Sequence, residues 1–446
     1  MKKKYLNSSY IMILLTLFII SIPTINSTHV EIQKDLILTI SEEYPLPPPQ
    51  KTEMILEETI FRRASVRDLS DDPVSDELLS TILWAAYGYR DDNSRTVPTI
   101  TGVHAVHIYV LRKDGVYKYN PKNHSLIFHR SGDYTNRFQY NAPIQLGIVW
   151  DTNISTNDKL TASEIGMIGQ NIYLMANALD LGTLATVGSP LSVIKLPENE
   201  IPRIIMPLGY PKYPYRFRNQ PLVFSLLPTV QLSDYSLSKT LEERMETDIW
   251  TGSLTREEIA QLLWSTYGYS YYLDLSEYDF IYHINRHRTV PSAHKYYPLR
   301  IYAVTPTDIY QYIPNIYDPL VGPLQILFNF PLFPYPVFTF LKKIESGDYR
   351  QTLAEACATP SLQSVPFCIL SVLDIQRTRP ENYDDFSDEE LRWLWYYEAG
   401  ASGYNAILET TAWNLSGNII PINNPNMICS LLTLDETLFE PMLAIP

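Results

Sequence analysis

A long internal repeat constrains this chain more than any other feature. ILWAAYGY at 82–89 is followed by RTVP at 95–98, and QLLWSTYGY at 261–269 is followed by RTVP at 288–291. Trp84 and Trp264 stand 180 positions apart, Arg95 and Arg288 stand 193 apart, and the SGDY segments starting at Ser131 and Ser346 stand 215 apart. Glu164-Ile165-Gly166 with Gly169 and Asn171 matches Glu398-Ala399-Gly400 with Gly403 and Asn405 at an offset of 234. The growing offset places insertions of 13, 22 and 19 residues in the second copy. Solenoid units run to about 20–50 residues, so this period belongs to two domains or one pseudo-symmetric pair. Two copies in one chain are free to diverge, which the copies of a homodimer are not.

The composition suits folded domains: 446 residues, 45% hydrophobic and 19% charged. A net charge of −14 excludes a nucleic-acid binder, because phosphate backbones need a basic surface. Lys2, Lys3 and Lys4 precede an apolar run from Ile11 to Ile22, broken by Thr16 and Ser21. That run is shorter than the roughly 20 residues of a membrane span and reads as an export signal over 1–27, either cleaved or kept as an anchor. The body is therefore expected outside the cell or at its surface. Residues 28–58, with PLPPPQ at 45–50, read as an extended spacer. The first copy spans 59–230 and the second 231–446. Cys357, Cys368 and Cys429 allow one disulfide or three buried thiols. Asn123, Asn153 and Asn414 head glycosylation sequons.

Periodicity predicts helices over Asp76–Tyr87 and Ala162–Leu181, the latter stopping at Gly182, and strands over Val106–Leu111, Tyr117–Tyr119, Ile144–Trp150 and Ile204–Gly209. The order lacks βαβ regularity, so the expected class is α+β. The second copy carries an aromatic insertion over 313–345. Its segment Ile326–Leu341 has phenylalanines at 328, 330, 333 and 338 and no charge. A buried arm, a lid over a flat ligand and a peripheral membrane contact through 326–341 all remain open for it.

FRRASVR at 61–67, EIGMIGQNIYLMANALDLG at 164–182, IIMPLGYP at 204–211 and RTVPSAHKYYPLRIYAV at 288–304 resemble the nitroreductase superfamily, and within it the SagB-type, thiazoline-oxidase-like dehydrogenases. The resemblance covers both copies. It implies two nitroreductase-like α+β domains forming an intramolecular pseudo-dimer, an FMN at the seam, and an oxidoreductase drawing on NADH or NADPH. The implied substrate is a small molecule or a peptide. Each flavin site in the family is composite. The implied phosphate grip is Arg63, Ser65 and Arg67, whose alternate side chains share a face if the segment is extended. Val187 and Gly188 are implied to lie against the flavin ring, and Arg216 or Arg218 to reach the phosphate. Pro291, Ser292 and Ala293 are implied to supply the loop from the other copy.

At the 180-residue offset the second copy presents Glu243, Met245 and Thr247, so its phosphate grip reads as lost. The first copy has Pro98-Thr99-Ile100 and Ala105 where the second has Pro291-Ser292-Ala293 and Pro298, so its loop reads as lost. One FMN per chain follows, in a chain expected to be monomeric. Gln170 and Asn171 are expected to serve helix packing or the seam. Lys295 and Tyr296 read as a solvated lysine beside a packing tyrosine, with proton transfer the alternative. The histidines show no metal-ligand spacing, so no metal is expected. Two further readings stay open: a non-enzymatic flavin or ligand binder, and a thiazoline or oxazoline dehydrogenase.

Overall fold

A computed structural model describes residues 43–187, 191–213, 216–217, 223–274, 285–315, 337–378 and 388–446. The chain forms two compact units, Met1–Tyr44 and Pro45–Pro446. The expected export signal lies outside the described residues, and the second unit carries the elements of the fold. Among the described residues no helix is long and apolar enough to cross a membrane.

The first half runs α1 (Leu56–Arg62), α2 (Asp76–Tyr87), β1 (Val106–Arg112), β2 (Gly115–Asn120), β3 (Ser125–Ser131), β4 (Ile144–Asp151), α3 (Asp158–Ala178), β5 (Gly182–Thr183) and β6 (Glu200–Gly209). Two short strands follow, β7 (Arg216–Phe217) and β8 (Val223–Ser225). The second half runs α4 (Leu237–Glu243), α5 (Arg256–Tyr267), β9 (Tyr269–Asp274), β10 (Asn285–Arg288), β11 (Leu299–Val304), β12 (Asp308–Ile313), β13 (Val337–Ser346) and α6 (Arg350–Ala356). It ends with β14 (Cys368–Asp374), α7 (Asp388–Ala412), β15 (Ile420–Pro421), α8 (Pro425–Leu431) and β16 (Phe439–Ile445).

Each half contributes an antiparallel sheet, and the strands recur in one order: β3-β2-β1-β4-β6-β5 in the first, β13-β12-β11-β14-β16-β15 in the second. In the first sheet Ile108 faces Ile148, and in the second Tyr302 faces Leu370. The second sheet adds β8, parallel to β13. The central strands β4 and β14 are buried along their whole length, which their near-continuous apolar sequences require.

α2 starts where the Ser75 side chain accepts from Leu78 N–H, and α5 starts with a capping box between Thr255 and Glu258. α3 differs from the expected Ala162–Leu181 at both ends. Asn157 caps it by accepting from Leu160 N–H, and Asp180 takes a left-handed φ of +56° that ends it before Gly182. Gly182 instead lies in β5, where a Cβ would meet Val66 Cγ1 at 2.5 Å. The glycine lets the 64–69 segment pass close by.

α3 and α7 cross at two glycines. A Cβ on Gly166 would sit 1.9 Å from Tyr397 O, and one on Gly400 would sit 1.9 Å from Ser163 O. These glycines are 234 residues apart, as are Ser163 and Tyr397. One hydrophobic core takes in Ile60, Leu83, Ile168, Leu263, Tyr404 and Leu443, so residues on both sides of the expected 230/231 boundary bury one another. The expected spacer also changes character from residue 45. Leu46 is buried, Gln50 N–H donates to Thr81 Oγ1 at 2.8 Å, and α1 already begins at Leu56. Of the aromatic insertion, 316–336 lies outside the described residues, and the rest of its far side is strand β13, which pairs with β12.

Candidate functional site

Arg63 caps the C-terminal end of α1 and is buried. Its Nε and Nη2 donate to the backbone oxygen of Arg288 in the other half at 3.3 and 3.2 Å. The guanidinium lies 5.3 Å from the Tyr173 ring centroid. Nη1 has no hydrogen-bond partner among the described residues, and none of their carboxylates pairs with this cation. Past Arg63 the chain is extended and tied down: Val66 N–H donates to Thr183 O at 2.9 Å, and Ser70 N–H to Tyr210 O at 2.8 Å. Ser65 Oγ lies 3.2 Å from Tyr173 OH, which accepts from Ala185 N–H at 2.7 Å. Arg67 is exposed and donates to Ser65 O at 3.3 Å. Val187 is exposed two residues beyond Ala185. Arg63, Ser65 and Arg67 therefore lead from the core to solvent alongside β5 and the segment 184–187 that follows it.

The loop that Arg63 grips is the one expected to face the flavin. Arg288 Nη1 donates to Tyr267 O at 3.3 Å, and its guanidinium packs on the rings of Tyr267, Tyr269 and Tyr297 at 4.6, 4.9 and 4.7 Å. Pro291 is buried, and Ala293 opens a single 3-10 turn in which His294 has a left-handed φ of +51°. Ser292 Oγ donates to Glu398 Oε2 at 2.5 Å and accepts from Tyr297 N–H at 2.9 Å. Tyr267 OH donates to the other Glu398 oxygen at 2.5 Å. Burial pushes the Glu398 carboxyl up to about 7, against the hydrogen bonds from Ser292 and Tyr267 and the Arg288 charge. Tyr296 packs against Trp395 at 6.1 Å, as expected of a packing tyrosine. The side chains of Lys295 and Arg216, and the whole of Gly188 and Arg218, lie outside the described residues.

The seam repeats these contacts. Leu56 N–H donates to Tyr235 O and Leu237 N–H to Met54 O, each pair related by 181 positions. α1 and α4 thus correspond at an offset of 181, one more than α2 and α5. This corrects the expectation that Glu243 stands opposite Arg63: the counterpart is Arg244. Arg244 is buried and its Nη2 donates to Arg95 O at 3.0 Å, as Arg63 does to Arg288 O. Ser65 and Arg67 then correspond to Glu246 and Asp248. Glu246 Oε1 accepts from Arg244 Nη1 at 2.8 Å. One buried arginine of the pair has a carboxylate, and among the described residues the other has none.

A profile of the nitroreductase family matches residues 60–210. A Methanocaldococcus jannaschii protein named as a nitroreductase is 32% identical over 185 residues, 36% of this chain and 93% of that protein. The chain belongs to the nitroreductase family. A Methanothermobacter thermautotrophicus protein named as an NADH dehydrogenase or NAD(P)H nitroreductase is 25% identical over 162 residues, 34% of this chain and 76% of that one. A crystal structure of an Anabaena variabilis protein named as a nitroreductase superposes with a TM-score of 0.60 at 14% identity, covering 90% of this chain and 92% of that one. That likeness extends the nitroreductase-like α+β fold over both halves. Nitroreductases are oxidoreductases that typically bind FMN.

Arg63 has the chemistry to hold an anionic phosphate: it is a buried cation whose Nη1 has no partner, and whose charge has no carboxylate, among the described residues. Gln170 serves the seam and Asn171 ties α3 to α2, the two roles left open for the pair. Gln170 Nε2 donates to Thr289 O at 3.1 Å, and Asn171 Nδ2 to Ala85 O at 2.7 Å. The three cysteines are free buried thiols, not a disulfide.

Two groups escaped the sequence reading. His107, Asp151 and Glu200 place ligand-type atoms within 4.8 Å of one another, although no spacing motif announced them. Both Glu200 oxygens are already engaged, Oε1 by Lys118 at 2.8 Å and His107 at 2.9 Å, and Oε2 by Tyr109 at 2.7 Å. The cluster is satisfied as an ion-pair network. A cavity of about 180 Å³ lined by Trp250, Leu254, Phe367, Ile369 and Thr410 contains none of the candidate residues.

Proposed function

We propose that this chain is an exported FMN-dependent oxidoreductase of the nitroreductase type, in which two repeats act as a pseudo-dimer and share one composite flavin site. The single observation that carries the reading is the unequal pair of buried arginines. Arg244 has the Glu246 carboxylate at 2.8 Å, whereas no carboxylate among the described residues pairs with Arg63. An anion is needed at Arg63 and already supplied at Arg244. Arg63 also reaches Arg288, three residues before Pro291, so the phosphate end and the loop of one composite site meet.

Bound flavin would supply the hydride chemistry, which the protein itself lacks. The chain's residues do the rest. Arg63, Ser65 and Arg67 hold the phosphate. Pro291, Ser292 and Ala293 form the edge loop from the other half. The backbone at Val187 approaches the ring. NADH or NADPH is the proposed donor, supported by the name of the Methanothermobacter relative. The substrate is a small molecule or peptide; membership of the SagB-type branch and thiazoline or oxazoline oxidation belong to the same proposal.

The test is reconstitution of the full chain with FMN. One flavin per chain with quenched fluorescence is expected, and Arg63→Ala should weaken binding by about tenfold or more, the order of a lost charge-assisted hydrogen bond. Two flavins per chain would overturn the single site, and none would overturn the flavin reading. Bound flavin that neither NADH nor NADPH bleaches would turn the reading to a non-enzymatic flavin binder.

A further inference from the structure

We infer that Glu398 is a positioning residue that sets which way the Ser292 hydroxyl points, and so whether the Pro291-Ser292-Ala293 loop offers a donor to the flavin. The inference rests on the reading that this loop meets the flavin. Glu398 sits on α7, buried, with one oxygen on Tyr267 OH and the other on Ser292 Oγ, both at 2.5 Å. A hydroxyl has one proton to give and two lone pairs. Ionised, Glu398 can only accept, so Ser292 must spend its proton inward. Ser292 Oγ meanwhile accepts from Tyr297 N–H at 2.9 Å, which leaves one lone pair open. Protonated on the oxygen that faces Ser292, Glu398 donates to that lone pair, while its other oxygen goes on accepting from Tyr267 OH. The Ser292 proton is then released to point outward. The hydrogen bond reverses without any movement of the backbone.

The first half shows that this link is not merely part of the fold. There Tyr87 OH donates to Glu164 Oε1 at 2.5 Å, as Tyr267 does to Glu398. The second oxygen, Glu164 Oε2, has no hydrogen-bond partner among the described residues. Thr99, at the position of Ser292 by the 193-residue offset, donates instead to Val103 O at 2.7 Å. The Tyr–Glu bond is common to both halves, and the Ser–Glu bond belongs to the half that carries the loop. The groups facing Glu398 are Tyr267 from α5, Arg288 from β10 and Ser292 and Tyr297 from the loop, with Tyr397 on its own helix. Burial places the carboxyl at about 7, where both proton states are populated near neutrality.

The experiment measures the dissociation constant of FMN for the full chain, by fluorescence quenching, from about pH 5.5 to about pH 8.5. The wild type should weaken by about three- to tenfold as pH rises through neutrality, the order of one hydrogen bond. Glu398→Gln and Ser292→Ala should each flatten the profile. Infrared spectra of the flavin-free protein should show a protonated-carboxyl band that titrates near neutrality and vanishes in Glu398→Gln. A wild-type chain that binds FMN with no pH dependence sinks this inference and leaves the flavin reading standing. So does a Ser292→Ala variant that keeps the wild-type profile. A wild-type chain that binds no FMN at any pH sinks the flavin reading first.

Discussion

Glu246→Ala takes the carboxylate from one buried arginine and Arg63→Ala removes the other arginine itself, so they should have opposite consequences. The Arg244 side chain is fully buried, so deleting Glu246 leaves an uncompensated cation and should destabilise the fold by about 1–3 kcal/mol in chemical denaturation. FMN affinity should stay unchanged. Arg63→Ala should weaken FMN binding by about tenfold or more while stability changes less, because no carboxylate among the described residues is left stranded. A second residue-scale test is Glu409, buried on α7 and accepting from Gln261 Nε2 at 2.7 Å and Trp413 Nε1 at 3.0 Å. Burial, then the nearby charge of Glu57, pushes its carboxyl well above the usual value. The folded state therefore binds this proton more tightly than the unfolded state. The stability it contributes is full below the ordinary value of 4.5 and is lost as pH rises toward the folded value. Glu409→Gln should raise the Tm at about pH 8 and change little at about pH 4. At this scale the sequence pointed to Arg63 but misplaced its counterpart by one residue. The offset came from the Trp-x-x-Tyr-Gly helices, and the helix before them carries an offset of 181 that only the paired backbone bonds of Leu56 and Leu237 reveal.

The crossing of α3 and α7 permits no side chain at two positions. Gly400→Ala would put a Cβ 1.9 Å from Ser163 O, and Gly166→Ala would do the same at Tyr397 O. Backbone cannot retreat as a flexible side chain can, so either change should cost about 3 kcal/mol or more, or prevent folding. By contrast Gly252→Ala, where a Cβ meets nothing within 4 Å, should be limited to the strain of its φ of +94°. Denaturation midpoints for the three variants check the ranking. The periodicity of α3 was legible, as was the match of its Glu164-Ile165-Gly166 to Glu398-Ala399-Gly400 on α7. The ends of α3 were not, because it stops on a left-handed Asp180 that leaves no mark in the hydrophobic pattern.

Across the whole molecule the two halves share one core, and the expected result is a cooperative transition with one FMN per chain. Its acid limb has an identifiable contributor. Although burial raises the Glu200 carboxyl, hydrogen bonds from His107, Lys118 and Tyr109 hold it down to about 2. A lowered value stabilises the fold above the ordinary 4.5, and that contribution is lost as pH falls through about 2. Glu200→Gln should therefore lower the Tm at about pH 6 and converge on wild type at about pH 2, read by thermal melts. The sequence by itself determined the repeat, the α+β class, the strands β1, β2, β4 and β6 of the first half and the acidic, apolar-rich character of the chain, because periodicity and composition are local properties. The tertiary structure alone decided that residues 45–58 pack rather than span, that Arg244 answers Arg63, that Glu246 closes one end of the seam, and that Glu398 joins Tyr267 to Ser292. Those pairings link residues more than 100 positions apart, except Glu246, which lies two positions from Arg244 in sequence.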